Sequence, residues 1–422
     1  MNNYQLSVTS YQLSVIRLAG FLVAFIIFMS GCASAPIRDA QIAFYGNQSQ
    51  EAEAILSKAD EDVSDRDRLL YFMAKGTILH DLGKYSESTG ELLKASKLIK
   101  NQDIISVSEQ GASIITNDWV TEYKGEYSER LWVHTYLMMN FLLSYKYESA
   151  LVEAKQALKI LDKYENALNQ DHFTRVLIAM CYENMRQFND AYIEYKKLSL
   201  ALNNPVWLSP VLYRLAKITG LNEEARKYEN LLSQAERKRA KKIQPPELVL
   251  FIASGKGPVK VDGNIIVPPS IRFSFPRYST QSSGNTNIRI QTGAKNLPYS
   301  VLKTDINAVS QNSLQERASQ IIAKELTRVA VKEAVSSAIA RKNDPLLEFL
   351  VRAALFMMET PDTRAWETLP ASFNLVRVPL PQGSSTIRVN VISEGKQKNE
   401  TIPLPKTGLK PGQRFYYSIR VK

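Results

Sequence analysis

Cysteine and histidine are scarce in this chain, with two and three among 422 residues. Two cysteines, Cys32 and Cys181, cannot build a disulfide framework, and Cys181 lies in the apolar string Ala179-Met180-Cys181-Tyr182, where a small buried hydrophobe is expected. His80, His134 and His172 have no partner at metal-ligand spacing, so each is expected on a helix surface or in a groove. The loop string Ser254-Gly255-Lys256-Gly257 lacks the spacing that cradles a phosphate, and no serine occupies a nucleophile-elbow string. Glu122, Glu126 and Glu129 interleave with Lys124 and Arg130 as on a salt-bridged helix face rather than as a glycosidase carboxylate pair. No enzyme is therefore expected: no catalytic residue, no cofactor and no metal. Acidic residues are the minority, 42 against 53 basic, for a formal net charge of +11. That balance suits an anionic polymer, lipid headgroups or an acidic partner without choosing among them.

Long apolar runs are also few, and the most prominent, Leu18 to Phe28, sits near the N-terminus and leads into Met29-Ser30-Gly31-Cys32. A basic Arg17, an apolar stretch too short to span a bilayer comfortably, then small residues and a cysteine follow the order of a secretory signal. The string resembles the lipobox of secreted bacterial lipoproteins, with Met29 in the slot usually held by leucine. The resemblance implies a signal peptide over 1–31, lipid on Cys32 (palmitate among its acyl chains) and a lipidated tether over 32–47. Ala33 is not the aspartate that retains many lipoproteins at the inner membrane, so the implied location is the periplasmic face of the outer membrane, where nucleic acid is no partner. Arg17 is the one charged residue before Cys32, so the mature chain would carry +10.

Glycine and proline are sparse from about residue 50 to 240, and apolar positions recur three and four apart, which predicts helix after helix. Four windows share the offsets of tetratricopeptide repeats (TPR), helix pairs with small residues at the contacts and an aromatic before the second helix. They contain Gly76 with Ser88, Phe141 with Ala150, Ala179 with Ala191, and Gly220 with Ala225. Positions 88, 150, 191 and 225 are equivalent, at intervals of 62, 41 and 34 residues, so an insertion separates the first two units. A TPR-like array is expected over 48–244, closed by a basic helix end over 233–242. Pro245-Pro246 ends the helical part. Beyond it, over 245–422, an α+β domain with a small, mainly antiparallel β-sheet is expected, because Glu247 to Ser254, Ile288–Ile290, Ile387–Val391 and Phe415–Val421 have strand patterns. Pro381-Gln382-Gly383 predicts a turn making Phe373 to Val391 a hairpin. Ser313 and Glu316 have capping-box spacing for a helix to about 341, and a second helix, apolar nearly all round, is expected over 346–358.

Two longer strings carry a further resemblance: TEYKGEYSERLWVHTYLMMNFL from Thr121 to Leu142, continuing into ESALVEAKQAL, and PDTRAWETLPASFNLVRVPLPQG from Pro361 to Gly383, with KGPVKV at 256–261 as a weaker companion. Together they resemble an uncharacterised family of TPR-containing outer-membrane lipoproteins of Gram-negative bacteria. The resemblance implies no defined activity; it implies a cell-envelope setting, since genes of the family tend to lie near small lipoproteins linked to activation of peptidoglycan synthases.

Within the first string, Tyr123, Glu126, Tyr127 and Arg130 crowd together beside Trp119 and Trp132 where the repeat spacing is stretched. Aromatic and arginine anchors are favoured at interfaces, so these four are the partner-binding candidates, with packing of the gap as the competing reading. Asp362, Arg364 and Trp366 are expected to form a corner locking helix to hairpin. The functional expectation is a lipid-anchored periplasmic scaffold or adaptor that binds a protein partner through its array, in cell-envelope assembly or maintenance. The alternative is a non-enzymatic lipoprotein that binds a glycan or surface polymer.

Overall fold

The computed structural model describes residues 35–105, 122–240, 245–267, 271–279, 283–317, 361–381, 383–405 and 410–422. Cys32, Trp119 and the apolar segment 346–358 lie outside the described residues. The N-terminal half is a stack of helix hairpins: α1 (Ala35–Tyr45) with α2 (Ser49–Lys58), α3 (Arg68–Asp81) with α4 (Tyr85–Ile105), and α5 (Tyr127–Leu143) with α6 (Tyr147–Lys163). After the short α7 (Glu165–Leu168) come α8 (His172–Asn184) with α9 (Phe188–Ala201) and α10 (Ser209–Ile218) with α11 (Asn222–Leu231), and α12 (Gln234–Ala240) ends the stack. Each hairpin turns through a residue of positive φ two positions before its second helix: Asn47 (63°), Gly83 (73°), Tyr145 (57°), Arg186 (60°) and Gly220 (76°). Three positions into that helix, Ala52, Ser88, Ala150, Ala191 and Ala225 are all buried. A small side chain there lets the paired helices approach. At Gly76 a Cβ would stand 2.6 Å from Leu92 Cγ, so the first and second helices of that hairpin touch where only glycine fits.

The repeat therefore extends one hairpin further toward the N-terminus than the four sequence windows. The tether expected over 32–47 is, from Ala35 on, a packed helix with Ile37, Ala40 and Phe44 buried.

Beyond the prolines, ten strands form three sheets among the described residues. The first contains β1 (Glu247–Ser254), β6 (Ser300–Asp305), β7 (Ser372–Pro379) and β10 (Arg414–Val421) in the order β10-β1-β7-β6. Only β1 and β10 run parallel; the other pairs are antiparallel. The second is the ribbon β2 (Lys260–Val267) with β3 (Ile271–Tyr278). The third joins β4 (Thr286–Thr292), β5 (Lys295–Asn296), β8 (Thr386–Ser393) and β9 (Lys396–Pro403) in the order β5-β4-β8-β9. Leu248, Leu250, Ile252, Val376, Val378, Ile419 and Val421 on one face of the first sheet pack against Ile290, Ile387, Val389, Val391 and Ile402 of the third. The opposite face, with Val249, Phe251, Phe373, Leu375 and Tyr416, joins the core of the helical stack. With apolar residues on both faces, β1 has a nearly continuous apolar run. The layers are helices, first sheet, third sheet.

Two expectations need correction here. Phe373 to Val391 is not a hairpin, because β7 pairs with β1 and β6 while β8 pairs with β4 and β9. Pro381 and Gly383 (φ 78°) instead carry the chain from one layer to the other, since β7 needs both faces covered. The helix expected to open at Ser313 is already formed from residue 306, where Asp305 Oδ1 accepts from the Ala308 amide at 3.1 Å. Ser313 is instead fully buried, its Oγ accepting from the Ser128 amide at 3.2 Å.

Candidate functional site

The segment 122–126, neither helix nor strand and turning through Gly125 (φ 70°), delivers Glu126 to the start of α5, where the Glu126 amide donates to Glu129 Oε2 at 2.8 Å. Glu129 is one turn inside the helix and also accepts from Tyr123 Oη at 2.5 Å and from the Trp366 amide at 2.8 Å through its other oxygen. Glu126 receives Lys260 Nζ of β2 at 2.6 Å and the Arg317 guanidinium at 2.5 Å. Burial alone would raise the Glu126 pKa, but the charges of Lys260 and Arg317 outweigh it and hold the carboxyl at about 2. At Glu129 burial wins, and its pKa is raised. Tyr127 stacks on Tyr164 with ring centroids 3.7 Å apart. Arg130 pairs with Asp103 at 2.7 Å and donates from Nε to the Lys124 carbonyl at 2.9 Å.

The structure thus gathers the four candidates, but around groups from the C-terminal half. Tyr123 and Glu126 are 3% and 4% exposed. Their chemistry is that of a seam between array and β-domain. The three strings TEYKGEYSER, PDTRAW and KGPVKV, far apart in sequence, meet here through Glu129, Trp366 and Lys260. Lys260 and Arg317 escaped the sequence reading because an isolated lysine on a strand and an arginine on a helix carry no spacing signal toward a distant carboxylate.

More seams run along the inner side of the stack. Arg364 joins Asp67 at 2.9 Å and Asp362 at 2.8 Å, and donates to the Arg66 carbonyl at 3.1 Å. The corner expected at Asp362, Arg364 and Trp366 therefore locks the β-domain to α3. Trp366 is fully buried and its indole N–H lies 2.9 Å from both Thr77 Oγ1 and Thr368 Oγ1. Further along, Arg414 of β10 pairs with Glu183 of α8 at 2.6 Å and with Glu247 at 3.1 Å, while Arg377 takes Glu247 at 2.7 Å. Thr304 of β6 accepts from the Phe173 amide at 2.8 Å, and Tyr416 Oη from Asn184 at 2.7 Å.

Two of the histidines, His80 and His134, belong to packing rather than to the surface. His80 is buried, with Nδ1 2.6 Å from Asn140 Oδ1 and Nε2 2.9 Å from Ser418 Oγ of β10. Burial lowers its pKa to about 4, the hydrogen bond from Nδ1 to Asn140 Oδ1 offsetting only part of that. His134, also buried, is 2.6 Å from Glu153. His172 is half-buried. Cys181 is fully buried, and burial raises its pKa. Among the described residues no cluster of metal-binding side chains occurs, and no helix is long and apolar enough to cross a membrane.

The first helices of three hairpins, α3, α5 and α8, make the most extensive contacts with the first sheet: α3 and α5 lie against β10, α8 against β6 and β7. In stacked helix-pair arrays this is the curved inner surface commonly used to hold a partner. Here the chain's own β-sheet occupies it.

Comparison with known proteins gives no matching family model and no matching curated protein. Among solved structures, half of the chain is similar to TPR proteins. A MamA fragment from Desulfovibrio magneticus RS-1 is 14% identical, with a TM-score of 0.32, over 49% of this chain and 96% of the other. YrrB, described as a TPR protein with an unusual peptide-binding site, is 14% identical with a TM-score of 0.34, over 50% of this chain and 89% of its own. A further MamA crystal structure is 13% identical with a TM-score of 0.33, over 50% and 94%.

Proposed function

We propose that the chain is a lipid-anchored periplasmic scaffold or adaptor, held through Cys32 at the outer membrane, that binds a protein partner during cell-envelope assembly or maintenance. The lipobox-like string supports the anchor, and a TPR-like stack of helix hairpins supports the binding role. The observation that carries the reading is the fusion of this stack to a two-layer β-domain through a shared apolar core, which makes a rigid body with surface to present on several sides. Because the sheet covers the inner side, a partner engages the remaining surface, and of the original four the half-buried Tyr127 stays a partner-binding candidate together with the buried Arg130, which reaches the surface only through its pair with the half-exposed Asp103. Crosslinking in cells with the partner identified by mass, comparing wild type with Cys32→Ser, tests both parts. An envelope protein captured by wild type and lost with the fatty-acid label in Cys32→Ser supports the reading. Equal fatty-acid labelling of the two proteins sinks the anchor, and capture unaltered in Tyr127→Ala and Arg130→Ala sinks the assigned surface.

One observation favours the glycan reading as an alternative. The outer face of the third sheet carries Arg289, Gln291, Arg388, Asn390, Asn399 and Thr401, opposite the buried Ile290, Val389 and Ile402. It is rich in amides and free of carboxylates at those positions, as a polymer-binding face would be. Binding there would weaken steeply with salt, whereas capture of a peptide by packing would not.

A further inference from the structure

Arg420, on β10, is placed unlike the other arginines at the seam. Its Nη2 is shared among the Tyr45 hydroxyl and the carbonyls of Gly255, Thr368 and Leu369, all at 3.2–3.3 Å. Its Nε and Nη1 are buried and have no acceptor. Among the described residues no carboxylate faces it in an ion pair, only the rings of Phe44 and Tyr45 at 5.5 and 5.9 Å, whereas Arg364, Arg377 and Arg414 each hold one or two carboxylates. A buried guanidinium that is oriented but not neutralised is costly unless an anion completes it.

Arg420 lines a cavity of about 870 Å³ between β10, α3 and the overhanging β9. The charged side chains on its wall are Arg420, Lys422, Lys396 and Lys398 against Asp81 and Glu400. Asp81 is taken by Lys422 at 2.7 Å and Glu400 by Lys398 at 3.4 Å, which leaves the charges of Arg420 and Lys396 uncompensated. His80, also on the wall, adds none at neutral pH, because burial keeps it uncharged. Phe44, Tyr85, Tyr136 and Tyr417 give the cavity aromatic walls. A concave space of small-molecule size, with aromatic sides and an excess of positive charge on its wall, has the features of a ligand pocket.

We propose that this cavity binds a small ligand carrying a carboxylate or phosphate on an aromatic or apolar body, with Arg420 and Lys396 recognising the oxyanion. The assignment is independent of how the chain is anchored and of which protein it meets. On a small shift of the side chain the oxyanion takes the Arg420 Nη1 donor, which has no acceptor of its own, while Nη2 keeps its backbone acceptors.

The test is calorimetric titration of the full chain with three probes: hippurate, its neutral amide and phenyl phosphate. The acids should bind and the amide at least tenfold more weakly; the ratio of hippurate to phenyl phosphate then tells whether the oxyanion is a carboxylate or a phosphate. Arg420→Gln should weaken the acids at least tenfold. Lys396→Gln, on an exposed side chain that cannot disturb the fold, should weaken them about threefold and flatten the salt dependence. If Arg420→Gln fails to fold, the acid-to-amide ratio and Lys396→Gln still decide. Equal binding of acid and amide, absence of binding by both acids at millimolar concentration, or full affinity in Lys396→Gln at low salt overturns the proposal.

Discussion

Truncating Trp366 to alanine is the perturbation that separates a seam from a mere contact. The indole is fully buried beside Tyr136 of α5, with ring centroids 5.6 Å apart, and its N–H is held by Thr77 of α3 and by Thr368. Removing a buried tryptophan costs about 3–5 kcal/mol through lost burial and the cavity left behind. The two threonine hydroxyls lose their donor as well, for about 1 kcal/mol more. At roughly 2 °C per kcal/mol for a large domain, Tm should fall by about 8–12 °C. The measurement is thermal unfolding followed in parallel by the helical circular-dichroism signal and by near-ultraviolet tyrosine dichroism. Both transitions should move together, because Trp366 comes from the β-domain side while its partners Thr77 and Tyr136 are helical. Trp366→Phe should recover more than half the loss. A helical transition that stays in place while only the β-domain melts earlier would refute the reasoning.

Three more outcomes follow from particular residues. Burial depresses the His80 pKa to about 4, so its contribution is complete above the unfolded value near 6.5 and is lost as pH falls toward 4; an acid titration of Tm should show this step, about 3 kcal/mol, and His80→Gln should lack it. Glu126 is also depressed, to about 2, so its contribution is present above about 4.5 and lost as pH falls toward 2, with the raised carboxyl of Glu129 acting in the opposite direction; Glu126→Gln should remove this lower step and destabilise the neutral protein by about 3 kcal/mol, read from urea midpoints. Arg186 occupies a left-handed turn position that Gly83 and Gly220 fill elsewhere in the repeat, so Arg186→Gly should stabilise the chain by up to about 1 kcal/mol, and a midpoint shifted downward would contradict this.

The helical half was legible because its signals are local. Small residues at 88, 150, 191 and 225 recur at helix contacts, and a period survives whatever packs on it. Ala52 was missed because α2 opens on Ser49, where α4, α6 and α9 open on the aromatic residues Tyr85, Tyr147 and Phe188. The β-half was legible only as strands. Which strands pair depends on burial of both faces of the first sheet, and Pro381 with Gly383 looks the same in a hairpin turn as in a crossing between layers. The candidates Tyr123, Glu126, Tyr127 and Arg130 were found together by crowding, yet crowding does not tell which way a side chain faces. Lys260, Arg317 and Trp366 settle that direction, and they come from sequence positions more than a hundred residues away.

The central claim is that the helical stack and the first sheet share one core, with the chain's own strands on the array's inner face. Native-state hydrogen exchange of the full chain at increasing denaturant tests it most directly. The account predicts that amides of α5 (Tyr127–Leu143) and α8 (His172–Asn184) and those of β1 (Glu247–Ser254) become exchange-competent through one common opening, with the same free energy and the same denaturant dependence. Strands that remain protected at denaturant concentrations where α5 and α8 have already exchanged would contradict it.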